Sequence, residues 1–278
     1  MEIGILTAPF GGEPLEVVAA FAGEHGFAAL EVASGPGSKH IDITNFTQAD
    51  AERVLELMER RALRISSVAM YTNTTPADPQ ERAKVIDLLK KAVDAAHLLG
   101  VDVVCTLGGM PVPGKDKFKT IQEDCTQVFP PVLDYAGERG IKIALENWYA
   151  TNMQGLEHWK CMFDAIPHEN FGLNFDPSHL IWQGIDYIAA VHHFGKRIFH
   201  THAKDTEIRE DKLRWLGNQA HGWWRYVIPG FGAVRWGEYI GALRSVGYDG
   251  VLSIEHEDSA FGREEGFLAG KRYLSQFV

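Results

Sequence analysis

The sequence predicts an α/β protein, a single (β/α)8 TIM barrel over residues 1–278, and three observations predict it. Short runs rich in Val, Ile and Phe alternate with longer segments of helical period, eight times in strict order. Eight such units in about 250 residues are the size of one closed barrel. No linker divides the chain into the two doubly wound domains that its length would also allow.

The first strand reads Ile3–Thr7, and a helix over Pro14–His25 follows until Gly26 closes it. Ala29–Ala33 is the second strand. Thr47 opens the next helix with Asp50 three residues on, because each side chain can satisfy one of the orphan N–H groups of the first turn; the helix runs to about Arg61. Ile65–Tyr71 is the third strand. Asp78-Pro79-Gln80-Glu81 then supplies a cap, a first-turn proline and an acidic third position. Ile86, Leu89, Val93, Ala96 and Leu99 recur at helical spacing up to Gly100.

Val101–Thr106 is the fourth strand, before the Gly108-Gly109 pair. A helix over about Lys117–Arg139 leads into strand Ile141–Glu146. A shorter helix near Glu157–Ala165 precedes strand Phe171–Asp176, and a helix near Asp186–Phe194 precedes strand Arg197–His202. Lys204–Val234 reads as a loop carrying Trp215, Trp223, Trp224 and Arg225. A helix near Trp236–Val246, strand Gly250–Glu255 and a helix over Glu264–Phe277 end the chain.

A formal net charge of −10 leaves no basic face for a phosphate backbone, so no nucleic-acid partner is expected. Cys105, Cys125 and Cys161 form neither a CxxC pair nor an even framework, which fits a reducing compartment. The start, MEIGILTAPF, has no basic region ahead of a long apolar one, and no run approaches the ~18 apolar residues that span a bilayer. The expectation is a cytoplasmic protein with no membrane partner.

Strands five to eight each end on a side chain that can bind a metal: Glu146, Asp176, His202 and Glu255. Side chains alternate along a strand, so Ile143 and Leu145 face the helices while Glu146 faces the lumen; the same split turns Asn174 and Asp176, His200, His202 and Lys204, and Ser253 and Glu255 inward. Barrel active sites lie at the C-terminal ends of the strands. Three carboxylates crowded there repel one another unless a cation neutralises them. Three oxygen donors with one imidazole, and no thiolate, suit one divalent ion: Mn²⁺ first, with Co²⁺, Mg²⁺ or Zn²⁺ as alternatives.

The motifs ALEN, NFDPSHL, HTHAKDTEI and SIEHED resemble the xylose-isomerase-like TIM-barrel superfamily, often called sugar phosphate isomerase/epimerase, over nearly the whole chain. The resemblance implies a divalent metal on Glu146, Asp176, His202 and Glu255, and substrate contact by His179. It also implies that Glu146 and Glu255 act as both ligand and acid/base.

A cation on a sugar's carbonyl and adjacent hydroxyl acidifies the C–H between them and stabilises the enediolate formed. Glu146 and Glu255, flanking that carbon, are the expected proton acceptor and donor. The expected activity is therefore a sugar isomerase or epimerase acting on a ketose or keto-sugar. A lyase or dehydratase on a 3-keto-glycoside or keto-inositol keeps the same first step. An apurinic-site endonuclease, the more remote alternative, would need histidines where the third and fourth strands end in Met70-Tyr71-Thr72-Asn73 and Leu107-Gly108-Gly109-Met110. A non-catalytic carbohydrate-binding barrel is a third class, distinguished by binding that survives metal removal.

Lys204 is expected to hold a substrate oxygen or to pair with Asp205 or Glu255. Glu257 lies one step further out on the Glu255 face, placed for a hydroxyl. Trp148, with Trp182, Trp223 and Trp224, offers rings for the C–H face of a small-molecule carbohydrate, and Arg225 offers a cation for an anionic group. The segment 204–234 is too long for a plain connector. It is expected to cover the site or to meet a neighbouring subunit of a homo-oligomer.

Overall fold

The computed structural model describes residues 1–278. Ten strands form: β1 (Glu2–Leu6), β2 (Ala29–Ala33), β3 (Arg64–Ala69), β4 (Val103–Leu107), β5 (Lys142–Glu146), β6 (Phe171–Phe175), β7 (Ile198–Ala203), β8 (Asp205–Ile208), β9 (Trp224–Val227) and β10 (Val251–Ile254). Eight of them close a barrel in the order β1-β10-β7-β6-β5-β4-β3-β2, and β8 pairs with β9 outside it. All barrel pairs are parallel, each strand being joined to the next in the barrel by a crossover through the outer helices. The architecture is the (β/α)8 TIM barrel.

The alternation of side chains builds two cores. Outward residues such as Ile3, Ile5, Val104, Ile143, Leu145, Leu173 and Ile254 join the helices in the main core. A small apolar plug of Leu6, Ala69, Val103, Cys105 and Ala144 forms a separate cluster. β6 and β7 approach so closely that a Cβ on Gly172 would stand 2.2 Å from the Arg197 carbonyl oxygen, so that position takes glycine.

Most helix boundaries fall within two residues of those read from the sequence. Thr47 and Asp50 form the reciprocal capping box that starts the Gln48–Arg60 helix. Two segments differ. The expected helix over Lys117–Arg139 is divided into Lys117–Thr120, a wide π turn at Ile121–Cys125, and Thr126–Gly137. Pro130 and Pro131 lie inside the last piece and bring no N–H, so the carbonyls of Thr126 and Gln127 lack their usual donors.

The second difference is Lys204–Val234, which is not a plain loop. It holds the antiparallel β8–β9 hairpin, with Asp205 opposite Val227 and Ile208 opposite Trp224, and a helix over Glu210–Leu216. The buried Asp205 carboxylate ties the return of this segment to the barrel. It accepts from the N–H groups of Thr206 (2.8 Å), Val234 (2.9 Å) and Gly230 (3.1 Å) and from Trp236 Nε1 (2.9 Å).

Candidate metal centre

β5, β6, β7 and β10 bring Glu146, Asp176, His202 and Glu255 together at the C-terminal mouth, where one donor atom from each lies within 4.8 Å of the others. His202 Nδ1 is 3.0 Å from Glu255, 3.6 Å from Glu146 and 3.9 Å from Asp176. Asp176 Oδ1 accepts from the Ser178 N–H at 2.8 Å, which turns Oδ2 inward. Asp176 Oδ2 and His202 Nδ1 are buried and have no directed hydrogen-bond partner. Buried polar atoms left this way are costly unless something binds them. Two orphaned donors facing two further carboxylates, with no thiolate among them, fit a divalent cation.

Neighbouring side chains fix these groups. Asn147 spans β5 and β6: its amide donates to the Asp176 carbonyl at 2.8 Å and its oxygen accepts the Asp176 N–H at 2.7 Å. His179 lies on the short helix Ser178–Ile181, with Nε2 3.2 Å from Glu146 and Nδ1 2.6 Å from the Tyr226 hydroxyl of β9. Lys204 is 1% exposed and donates to Glu255 at 2.7 Å and Glu257 at 3.2 Å, with Asp176 3.4 Å away. It therefore turns to the site and leaves Asp205 to the loop.

Electrostatics follow from this packing. Burial alone would raise Glu146, but His179 and His202 beside it hold its carboxyl well below the usual range. Burial likewise opposes ionisation of Glu255, and the Lys204 ammonium overcomes it and lowers the carboxyl. Lys204 itself is penalised by burial yet held charged by Glu255, Asp176 and Glu257. Glu257 is raised by burial, against the pull of Lys204.

A cavity of about 470 Å³ opens over these groups, lined by Glu146, His179, Lys204, Glu255 and Glu257 together with the apolar and aromatic Leu6, Leu107, Trp148 and Tyr149. Tyr226 also lines it, so the hairpin outside the barrel supplies part of the wall. The ends of β3 and β4 contribute Tyr71 and Leu107 to this cavity, with no histidine.

Of the residues singled out from the sequence, Glu146, Asp176, His202, Glu255, His179, Lys204, Trp148 and Glu257 meet here, while Arg225 does not. The Arg225 guanidinium is engaged by Glu207 on the facing strand and by the buried carboxylate of Asp258. It clamps the hairpin to the segment after β10, with Nε on Glu207 and Nη1 on Asp258. Trp182 and Trp224 stack on each other at 4.6 Å and meet Tyr149 edge-on, so they back the wall without lining the cavity. Trp223 is buried away from it.

Four residues escape a reading of the strand ends: Tyr226, Tyr149, Asn147 and Glu31. Glu31 carried a legible signal, a single charge in the otherwise apolar run Ala29-Leu30-Glu31-Val32-Ala33. It is fully buried in β2. Burial by itself would raise its carboxyl, but His202 and His200, with hydrogen bonds from His202 and Tyr71, bring it down to about 2.

Known proteins share this framework. The inosose dehydratase of Geobacillus thermodenitrificans is 28% identical over 254 residues, covering 84% of each chain. The solved structure of the IolI protein with a bound zinc atom superposes with a TM-score of 0.76 at 20% identity, covering 100% of this chain and 99% of that one. That of the D-allulose 3-epimerase from Methylomonas sp. in complex with D-allulose superposes with a TM-score of 0.75 at 22% identity, covering 100% and 97%. At such identities the two structures speak for the fold. The family model described as xylose isomerase-like TIM barrel matches residues 19–277, nearly the whole chain. The chain belongs to the xylose isomerase-like TIM-barrel family.

Proposed function

We propose that the protein is a divalent-metal-dependent enzyme that removes a proton from the carbon next to a carbonyl in a ketose or keto-sugar, with epimerisation or isomerisation as the outcome. One observation carries the reading: Asp176 Oδ2 and His202 Nδ1 are buried without directed partners and face the Glu146 and Glu255 carboxylates. Glu146, Asp176, His202 and Glu255 would hold the ion, Mn²⁺ before Co²⁺, Mg²⁺ or Zn²⁺. Bound there, a divalent ion supplies Lewis-acid polarisation of a carbonyl and its neighbouring hydroxyl.

The remaining work belongs to side chains. Glu146 and Glu255 come from strands on either side of Asp176 and His202 in the barrel wall, and both stay ionised, so each can take a proton at a carboxylate oxygen. Glu146 removes the proton from one face. Glu255 returns one to the other face, taking a proton from the Lys204 ammonium 2.7 Å away as it gives its own, and solvent then resets Glu146 and Lys204, so the carbon is inverted. His179 holds Glu146 in place, and the Lys204 ammonium does so for Glu255. Trp148 and Tyr149 offer ring faces to the C–H side of a sugar, and Glu257 offers an acceptor for a hydroxyl.

A second reading, β-elimination from a keto-inositol or 3-keto-glycoside, is favoured by Lys204. A charged, buried ammonium in the cavity wall can protonate a departing oxygen, and the inosose dehydratase relative points the same way.

Metal analysis followed by incubation of keto-sugars in D₂O tests both. The expected result is one bound divalent ion and deuterium entering the carbon next to the carbonyl, abolished by chelation. Glu146→Gln retains partial metal binding and loses exchange at least ~100-fold, the scale of a general-base contribution. Exchange at the parent rate in that variant removes Glu146 from the proton transfer. An unsaturated product or a free aglycone selects elimination.

A further inference from the structure

Behind His202, on the side away from Glu146 and Glu255, stands a carboxylate that no step above uses. Glu31 projects from β2 into the lumen with no exposure to solvent. Its oxygens lie 3.1 and 3.3 Å from His202 Nε2. Ser253 donates its hydroxyl to the same carboxylate at 2.7 Å, and Tyr71 donates to it as well.

The other groups near that nitrogen decide which way its proton points. The Asn174 amide nitrogen is 3.0 Å from Nε2, but it only donates, with one of its two hydrogens on the Tyr71 hydroxyl at 2.8 Å, and offers nothing to accept an Nε2–H. Asn174 keeps this orientation because its oxygen faces His200 Nδ1 at 3.0 Å. The Tyr71 hydroxyl, 3.1 Å from Nε2, spends its own proton on Glu31. A carboxylate, which only accepts, is therefore the strong partner left for an Nε2–H. With the proton there, the lone pair of the neutral ring lies on Nδ1, the atom that faces Glu146, Asp176 and Glu255.

We infer that Glu31 is a positioning residue of the metal site: it takes the Nε2–H of His202, fixes the tautomer and plane of the ring, and places a negative charge behind its donor atom. The inference rests on the proposed metal site. A separate metal site at Glu31, Cys105 and His200 does not account for the same groups. Both nitrogens of His200 are already engaged, by Asn174 and by Ser66 at 3.1 Å, and burial keeps the Cys105 thiol protonated.

Co²⁺ titration followed by its visible absorption tests the inference on the full chain, with circular dichroism and melting of the metal-free protein as the check on folding. Glu31→Gln is expected to bind Co²⁺ 10- to 100-fold more weakly, the usual effect of losing a partner behind a metal-bound histidine. Ser253→Ala, which loosens Glu31 without touching His202, is expected to lose less in the same direction. A folded Glu31→Gln within twofold of the parent overturns the inference.

Long-range ¹H–¹⁵N spectra of the zinc-loaded parent decide the tautomer without any variant. A proton on Nε2 with Nδ1 coordinated supports the inference, and coordination through Nε2 overturns it. Failure of the metal reading looks different: the parent itself takes up no stoichiometric Co²⁺, and the inference falls with it.

Discussion

Asn147 shows how one uncharged side chain sets the distance between two charged ones. Its amide closes two hydrogen bonds on the Asp176 backbone, so the ends of β5 and β6 cannot separate without breaking both. Asn147→Ala removes the partner of a buried N–H and of a buried C=O, at about 1–3 kcal/mol each. The expected result is a stability lower by about 2–6 kcal/mol in urea unfolding, together with weaker metal uptake. Asn147→Asp, which can accept the N–H but cannot donate, should recover about half. Stability within ~0.5 kcal/mol of the parent in the alanine variant would remove this role. Asn147 closes the ALEN motif, but strand alternation gives it no place in the site, because it lies one residue past Glu146, on the face assigned to the helices. Glu146, Asp176, His202 and Glu255 were legible for the opposite reason: each ends a run of alternating apolar residues, so its direction follows from the pleat.

Among the elements, the β8–β9 hairpin was least legible and reaches furthest into the site. Its four-residue strands, Asp205–Ile208 and Trp224–Val227, contain too few alternations to stand out, and fifteen residues separate them. Tyr226 was lost with it, and Arg225, read as a cation free for substrate, is spent on Glu207 and Asp258. The π turn at Ile121–Cys125 was hidden because the apolar spacing on both sides is helical. The eight barrel strands were readable because they recur between long amphipathic helices. What anchors the hairpin is Asp205, with two N–H donors on each carboxylate oxygen. Asp205→Asn turns an NH₂ toward two of those donors. The expected cost is about 2–4 kcal/mol, with faster amide exchange concentrated in residues 204–236 and easier proteolysis there. Unchanged exchange across that segment would mean that Arg225 and the strand pairing hold the hairpin without Asp205.

At the scale of the whole molecule, folding gathers Glu146, Asp176, Glu255 and Glu257 around the Lys204 ammonium and the His202 ring, in a chain of formal net charge −10. Closing the barrel therefore works against carboxylate repulsion, and a cation that binds only the closed form relieves it. Mass action sets the size: at a hundred times its Kd, a metal adds about 2.7 kcal/mol. For a domain of this size that corresponds to a rise in Tm of about 5–10 °C over the chelated protein. Lys204 sharpens the expectation, since in the metal-free protein it is the ammonium that neutralises Glu255 and Asp176. Lys204→Gln should lower the Tm of the chelated protein more than that of the loaded one, widening the gap between them. Differential scanning calorimetry of both proteins with EDTA and with Mn²⁺ measures it. A gap that stays the same or narrows would mean that Lys204 and the cation do not share the same carboxylates, and that the ammonium belongs to substrate alone.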